Sequence, residues 1–246
     1  MTSPARALAV LDLFSRERPV WQPDAINEAL GYTRATGYRY VKDLVEAGLL
    51  QKVSAGSYAL GGRIIELDFQ LRQSDPVLLA AIPTMEALAA ATGYDAVLSV
   101  LFAGSKVIDI HRVNGQGSLA LAYGRGRPRP LYRSGAPKVL LAGQPRALLL
   151  KLYEADAADI AQCGMGDSWT DFRAYLTRLR KAGFYCSVGE LDPALGAAVV
   201  PVHNGEGGLV AALALVGTAA RIRAESAPQL RTWLEQAAAD VRQRLG

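Results

Sequence analysis

The ten residues 33–42 set Arg34, Arg39 and Lys42 among Thr36 and Tyr38 behind a capping Thr33. Wound as an α-helix, such a stretch is about 10–12 Å across, a width that enters the major groove of duplex DNA. Arg39 could then pair with a guanine or a phosphate, Arg34 and Lys42 with backbone, and Thr33, Thr36 and Tyr38 with base edges or sugars. The opposite stripe of the same segment, Tyr40, Val41, Leu44 and Val45, is apolar and suited to packing. Downstream, Lys52, Ser54 and Ser57 flank a polar turn that could lie along the backbone or enter the minor groove. The same charges on a surface helix of an ordinary three-helix unit would simply be solvated, so the pattern by itself leaves both readings open.

Other chemistries find less support. No H-E-x-x-H, P-loop or G-x-S-x-G occurs, and His111 and His203 have no nearby carboxylate at a telling spacing. Two cysteines, Cys163 and Cys186, with two histidines cannot supply a disulfide framework or a closely spaced zinc cluster. The expectation is reduced, apolar buried thiols, no catalytic residue, no metal and no cofactor. The run Arg125-Gly126-Arg127-Pro128 matches the short core of an AT-hook. Inside a mixed α/β region, a solvated loop or a subunit contact is the better reading.

Secondary-structure elements must hold these residues in place. Apolar residues at helical spacing from Ala5 to Phe14 follow Ser3 and Pro4, a start suited to a first helix. A second fits 24–30 before Gly31, and a third 33–47 before Gly48. Strands at 49–53 and 58–60 can pair across 54–57. Three helices and a hairpin are the order of a winged helix-turn-helix. A helix over 63–73 then links to a second region with a helix at 78–92 and strands at 96–101, 106–113 and 119–122. Helices are expected at 135–141, 168–182 and 229–245, and a buried strand at 209–216. That order suggests an antiparallel sheet flanked by helices rather than βαβ units. The fold class is α+β, with boundaries at 1–62, 63–76 and 77–246.

Composition is consistent with this. Half of the 246 residues are hydrophobic and a fifth charged, so disorder is not expected. The longest weakly polar run, 207–220, is too short to cross a bilayer, and Arg6, Asp12, Arg16 and Glu17 break any export-signal pattern near the start. No membrane partner and a cytoplasmic location are expected. The net charge of +4 permits nucleic-acid binding.

Several segments together resemble the isocitrate-lyase-regulator (IclR) family of bacterial transcription factors. They are 6–14, beginning Arg6-Ala7-Leu8, then 33–50, 58–67, Ala91-Thr92-Gly93-Tyr94, 130–142, and 183–202 with its Glu190-Leu191-Asp192-Pro193. The resemblance implies a winged helix-turn-helix joined by a linker helix to a GAF-like antiparallel-sheet effector domain. It implies a homodimer or homotetramer on a pseudo-palindromic operator, since one recognition helix contacts too few base pairs alone. The rival class is a GAF-like sensor or enzyme whose N-terminal helices only mediate oligomerisation. Gly37 departs from the family pattern, and a mid-helix glycine costs about 1 kcal/mol relative to alanine; a recognition helix that is marginal without DNA follows.

The family's effector site, carried over by position, falls on Ser134, Gly135 and Ala136 as backbone amides at a helix start, a natural carboxylate cradle. Where an acidic pair is usual the chain has Ser187 and Val188; the cysteine position is Ala197, and two late-strand hydroxyls become Ala214 and Val216. Losing polar partners and gaining apolar surface points to a small, relatively apolar effector, an aromatic acid with its carboxylate at 134–136 and its ring on Ala197, Ala214 and Val216. These same small apolar residues would equally serve as plain core.

Overall fold

A computed structural model describes residues 2–103, 105–117, 119 and 124–246. They form two compact units, Met1–Ser74 and Asp75–Gly246.

In the first unit, α1 (Ser3–Leu8) is followed by a 3-10 turn at Leu11–Leu13 rather than continuing as one helix. Helix α2 (Pro23–Leu30) ends on Gly31, whose φ of 63° is the left-handed conformation glycine adopts at no steric cost. Helix α3 (Arg34–Glu46) starts at Thr33, whose hydroxyl accepts from the Thr36 amide at 3.3 Å. Strands β1 (Leu50–Ser54) and β2 (Ser57–Leu60) pair antiparallel, and Trp21 makes a single antiparallel bridge to β2 by exchanging backbone hydrogen bonds with Tyr58. Val10, Ile26, Tyr40, Val41, Leu44 and Leu50 make the core. Helix α4 (Arg63–Ser74) closes the unit without burying a residue: Ile65, Phe69 and Leu71 are 75, 63 and 61 % exposed.

The second unit begins with α5 (Pro76–Thr92), capped by the Asp75 carboxylate, which accepts from the Val77 and Leu78 amides. Its sheet contains β3 (Asp95–Phe102), β4 (Lys106–Val113), β5 (Pro128–Arg129), β6 (Tyr185–Val188), β7 (Leu195–His203) and β8 (Leu209–Thr218) in the order β5-β4-β3-β8-β7-β6, every pair antiparallel. Helices α6 (Gly135–Ala142), α7 (Arg146–Gln162) and α8 (Trp169–Ala182) cover one face; α5, α9 (Ala219–Ala224) and α10 (Ala227–Leu245) cover the other. Period-2 alternation sorts the strand residues between the two cores. Ala211, Leu213 and Leu215 of β8 pack with α5 and α10, while Ala212, Ala214 and Val216 face α6. The expected strand at 119–122 lies, beyond Leu119, outside the described residues. Helix α7 and strand β7 have no counterpart in the expectation from sequence.

Candidate functional site

The outward edge of α3 carries the expected set. Thr33, Arg34, Arg39 and Lys42 are exposed, Tyr38 is 42 % exposed and Thr36 half-buried. Tyr40, Val41 and Leu44 on the opposite edge are buried. The cations are loosely engaged: Arg34 Nε lies 3.8 Å from Asp24 and Lys42 Nζ 3.6 Å from Glu46, with all four side chains at least 66 % exposed. Surface pairs of this kind contribute at most about 1 kcal/mol and yield readily to a phosphate. The Thr33 hydroxyl donates to Thr36 Oγ1 at 2.9 Å, so both hydroxyls also serve the helix start.

Gly37 has a reason other than weakness. A Cβ there would sit 1.5 Å from Asn27 Oδ1, so glycine is what lets α2 and α3 approach at that point. Packing against α2 thus requires glycine here, whatever it costs the helix in propensity. On the wing, Lys52 and Ser54 are exposed, but Ser57 is only 9 % exposed. Ser57 is therefore no surface contact as the structure stands, because the hairpin folds so that β2 begins against the unit's interior.

Near α6, seven of the eight positions expected for an effector line one cavity of about 60 Å³: Ser134, Gly135, Ala136, Ser187, Ala197, Ala214 and Val216. Val188 does not. It follows Ser187 on β6, so it points to the opposite face and packs with the core beneath α5 and α10. Val97 and Val199, missed from sequence, extend the apolar floor. The alternation that excludes Val188 is the signal that could have found them.

The cavity is not stripped of polar groups, which corrects the expectation of a lost acid. Ser99, Arg129, Glu190 and Asp192 also line it. Arg129 grips the buried Asp109 with Nε at 2.9 Å and Nη2 at 2.5 Å, and Ser99 donates to the same carboxylate at 2.7 Å. Glu190, two residues beyond Val188, supplies the acid. Its Oε2 accepts from the Ser134 amide at 3.1 Å and from Lys138 Nζ at 2.7 Å, and its Oε1 from the Tyr185 hydroxyl at 2.7 Å. Burial, with hydrogen bonds to Tyr175 and Glu190, holds the Tyr185 phenol far above its ordinary pKa of 10.0, so it remains a donor.

Ser134 is distinctive. It has φ of 69°, in the left-handed region that side chains rarely adopt, and it precedes α6 without capping it through its side chain. Its residue is 8 % exposed, and its Oγ has no hydrogen-bond partner among the described residues. Gly135 follows where a Cβ would meet Val199 Cγ2 at 2.7 Å. Small residues here bring the helix start against the sheet.

Other expectations resolve differently. The hook-like run is folded: Gly126 has φ of 77°, the Arg127 amide donates to Gly124, and Arg125 Nη1 donates to the Ile110 carbonyl at 2.7 Å, none of which is the extended form a hook needs. Cys163 is partly buried, whereas Cys186 is exposed on edge strand β6, contrary to the expected buried thiol. Although the residue as a whole is exposed, neighbouring atoms partly desolvate its sulfur, and this, followed by Glu190's charge, pushes the Cys186 thiol up. Among the described residues no group of His, Cys, Asp and Glu could hold a metal ion, and no helix is long and apolar enough to cross a membrane.

Comparison with known proteins agrees in both units. The profile described as "Bacterial transcriptional regulator IclR C-terminal" matches residues 70–243, and "IclR helix-turn-helix domain" matches 3–54. The chain is 27 % identical to the uncharacterized HTH-type transcriptional regulator RhmR of Escherichia coli over 98 % of this chain and 92 % of that protein. Among solved structures, an IclR-family regulator from Brucella abortus has a TM-score of 0.82 at 21 % identity, covering 100 % of this chain and 93 % of that one. An IclR homolog from Microbacterium hydrocarbonoxydans, complexed with 4-hydroxybenzoate, has a TM-score of 0.77 at 22 % identity and covers 99 % of both chains.

Proposed function

The chain belongs to the IclR family and is a transcriptional regulator with a helix-turn-helix unit and a C-terminal effector domain; from that premise we propose that its effector is a small aromatic acid held between α6 and the sheet. The carrying observation is Ser134, which has a buried Oγ unpartnered among the described residues and lines the same cavity as Val97, Ala197, Val199, Ala214 and Val216. A buried hydroxyl without a partner costs about 1–3 kcal/mol, which a ligand oxygen would recover. The ring covers the apolar floor and the carboxylate meets the start of α6, where amides and helix dipole favour an anion. The bound aromatic acid of the Microbacterium homolog supports the same class.

At the other unit, the reading assigns DNA contact to Arg34, Thr36, Tyr38, Arg39 and Lys42 of α3, with Lys52 and Ser54 of the wing on the backbone. Two copies hold a pseudo-palindromic operator with half-sites about 34 Å apart. The exposed apolar side chains of α4, Ile65 and Phe69 on one face and Leu71 on another, are left to water in a lone protomer, which supports pairing as a homodimer or a dimer of dimers. The effector favours one arrangement of the pair and so changes operator affinity. The protein acts in the cytoplasm, and no catalysis is assigned to it.

A thermal-shift series tests the ligand class. Benzoate and 4-hydroxybenzoate should stabilise the full chain, by about 2.7 kcal/mol at a hundred times Kd. Stronger stabilisation by glyoxylate or pyruvate contradicts the aromatic reading.

A further inference from the structure

The α6 start proposed to hold an effector's carboxylate already holds one. Glu190 reaches from the loop joining β6 to β7 and engages the Ser134 amide, Lys138 and Tyr185. Lys138 is 5 % exposed at its side chain and Glu190 27 %, so the acid approaches from the solvent side while its partner is fixed within the fold. The same loop supplies Gly189, Leu191 and Asp192 to the cavity wall, with Leu195 at its end. Gly189 has φ of 74°, a hinge-permissive backbone at the loop's first residue. Ser134 Oγ, by contrast, is left without a partner among the described residues although Glu190 lies on the amide of the same residue.

A second carboxylate at the Ser134 amide and the Lys138 ammonium would lie against the first, and like charges at contact distance repel. We propose, building on the aromatic-acid reading, that Glu190 is a specificity-determining internal surrogate for the effector's carboxylate, which a ligand must displace to bind. Small acids with no ring offer little beyond the charge that Glu190 already provides. A ligand that also covers Val97, Ala197, Val199, Ala214 and Val216 gains apolar burial that Glu190 cannot match. Departure of Glu190 carries residues 189–194 outward, and that motion links occupancy to the shape of the domain.

Calorimetric titration of the full chain with benzoate and its neutral counterpart benzamide tests this, using wild type, Glu190→Gln and Glu190→Asp. Glu190→Gln should bind benzoate about tenfold or more tightly, while benzamide changes by less than about threefold. Glu190→Asp keeps the charge on a shorter stem and should give a smaller gain in the same sense. Unchanged or weakened benzoate binding by Glu190→Gln overturns the surrogate role and leaves the aromatic reading standing. Equal gains for both probes also overturn it, since a loosened loop admits either. If no variant binds benzoate, the aromatic-acid reading fails and the surrogate role with it.

Discussion

The two regions proposed to meet a ligand treat charge in opposite ways. On α3, Arg34 and Lys42 project into water with partners 3.8 and 3.6 Å away that a phosphate can replace. Around the cavity, Arg129 is closed on Asp109, and Lys138 on Glu190, with Asp109 and Lys138 side chains no more than 5 % exposed. A site for a polyanion that carries charge at every few ångströms gains by leaving its cations hydrated and adaptable. A site for one small acid gains selectivity by neutralising its own charges, so that charge alone does not suffice for entry. The contrast teaches that exposure, rather than the count of Lys and Arg, separates the surface proposed to read DNA from the pocket proposed to sense a small molecule.

The strongest way to break this contrast is at α3. Replacing Arg34, Arg39 and Lys42 by Ala should weaken operator binding by at least about a hundredfold and lower the salt slope by about two or more, as measured by anisotropy across a salt series, with the fold intact by circular dichroism. Filling the pocket is expected to act on the other region alone. Ala214→Phe should abolish the thermal response to benzoate, cost about 1–3 kcal/mol of stability in the effector unit, and leave operator affinity without ligand close to wild type.

A smaller effect sharpens the scaffold beneath α3. Gly37→Ala should destabilise the DNA-binding unit by about 1–2 kcal/mol in urea titrations despite its better helix propensity, because the new Cβ collides with Asn27. In an Asn27→Ala background the same change should reverse sign and stabilise by about 1 kcal/mol. Next comes Cys186, whose thiol is held above its ordinary 9.0 by partial desolvation of the sulfur and by Glu190. Iodoacetamide at pH 8 should label it more slowly than a free cysteine, and Glu190→Gln should speed the labelling. The least effect is at His203, where burial and Arg242 lower the imidazole pKa below 6.5. Its neutral form is favoured in the fold, so its contribution is present above pH 6.5 and lost as pH falls below 6.5 through the lowered folded value; His203→Gln should flatten this part of the stability profile.

The DNA-binding unit was the more legible of the two, for physical reasons. Thr33 as cap, the 3.6-residue stripe of Tyr40, Val41 and Leu44, and the glycine after α2 are local signals, and the structure uses each locally. What local signals did not convey was contact between elements: Gly37 reads as a weak helix position until Asn27 is placed against it. The burial of Ser57 depends on how the hairpin folds over, which its turn residues leave open. In the effector unit, β7 is covered on both faces, so its run of Gly, Ala and Val carries no alternation to read. Helix α7 is interrupted by non-helical geometry at Asp156. The cavity positions at 134–136, 197, 214 and 216 were reached by resemblance, whereas the Ser187–Val188 pair was displaced from the acid that the structure brings in, Glu190. A loop between strands has no period to fix its register, and there the carry-over slipped.

The central claim is that occupancy of the pocket beneath α6 changes how tightly the protein holds its operator. The direct test is anisotropy of a labelled operator, selected from genomic fragments by the full chain, titrated with and without saturating 4-hydroxybenzoate, for wild type and Ala214→Phe. The account predicts a change in operator affinity of about fivefold or more for wild type and none for the filled pocket. Operator affinity that stays constant in wild type while calorimetry shows the ligand bound would contradict it.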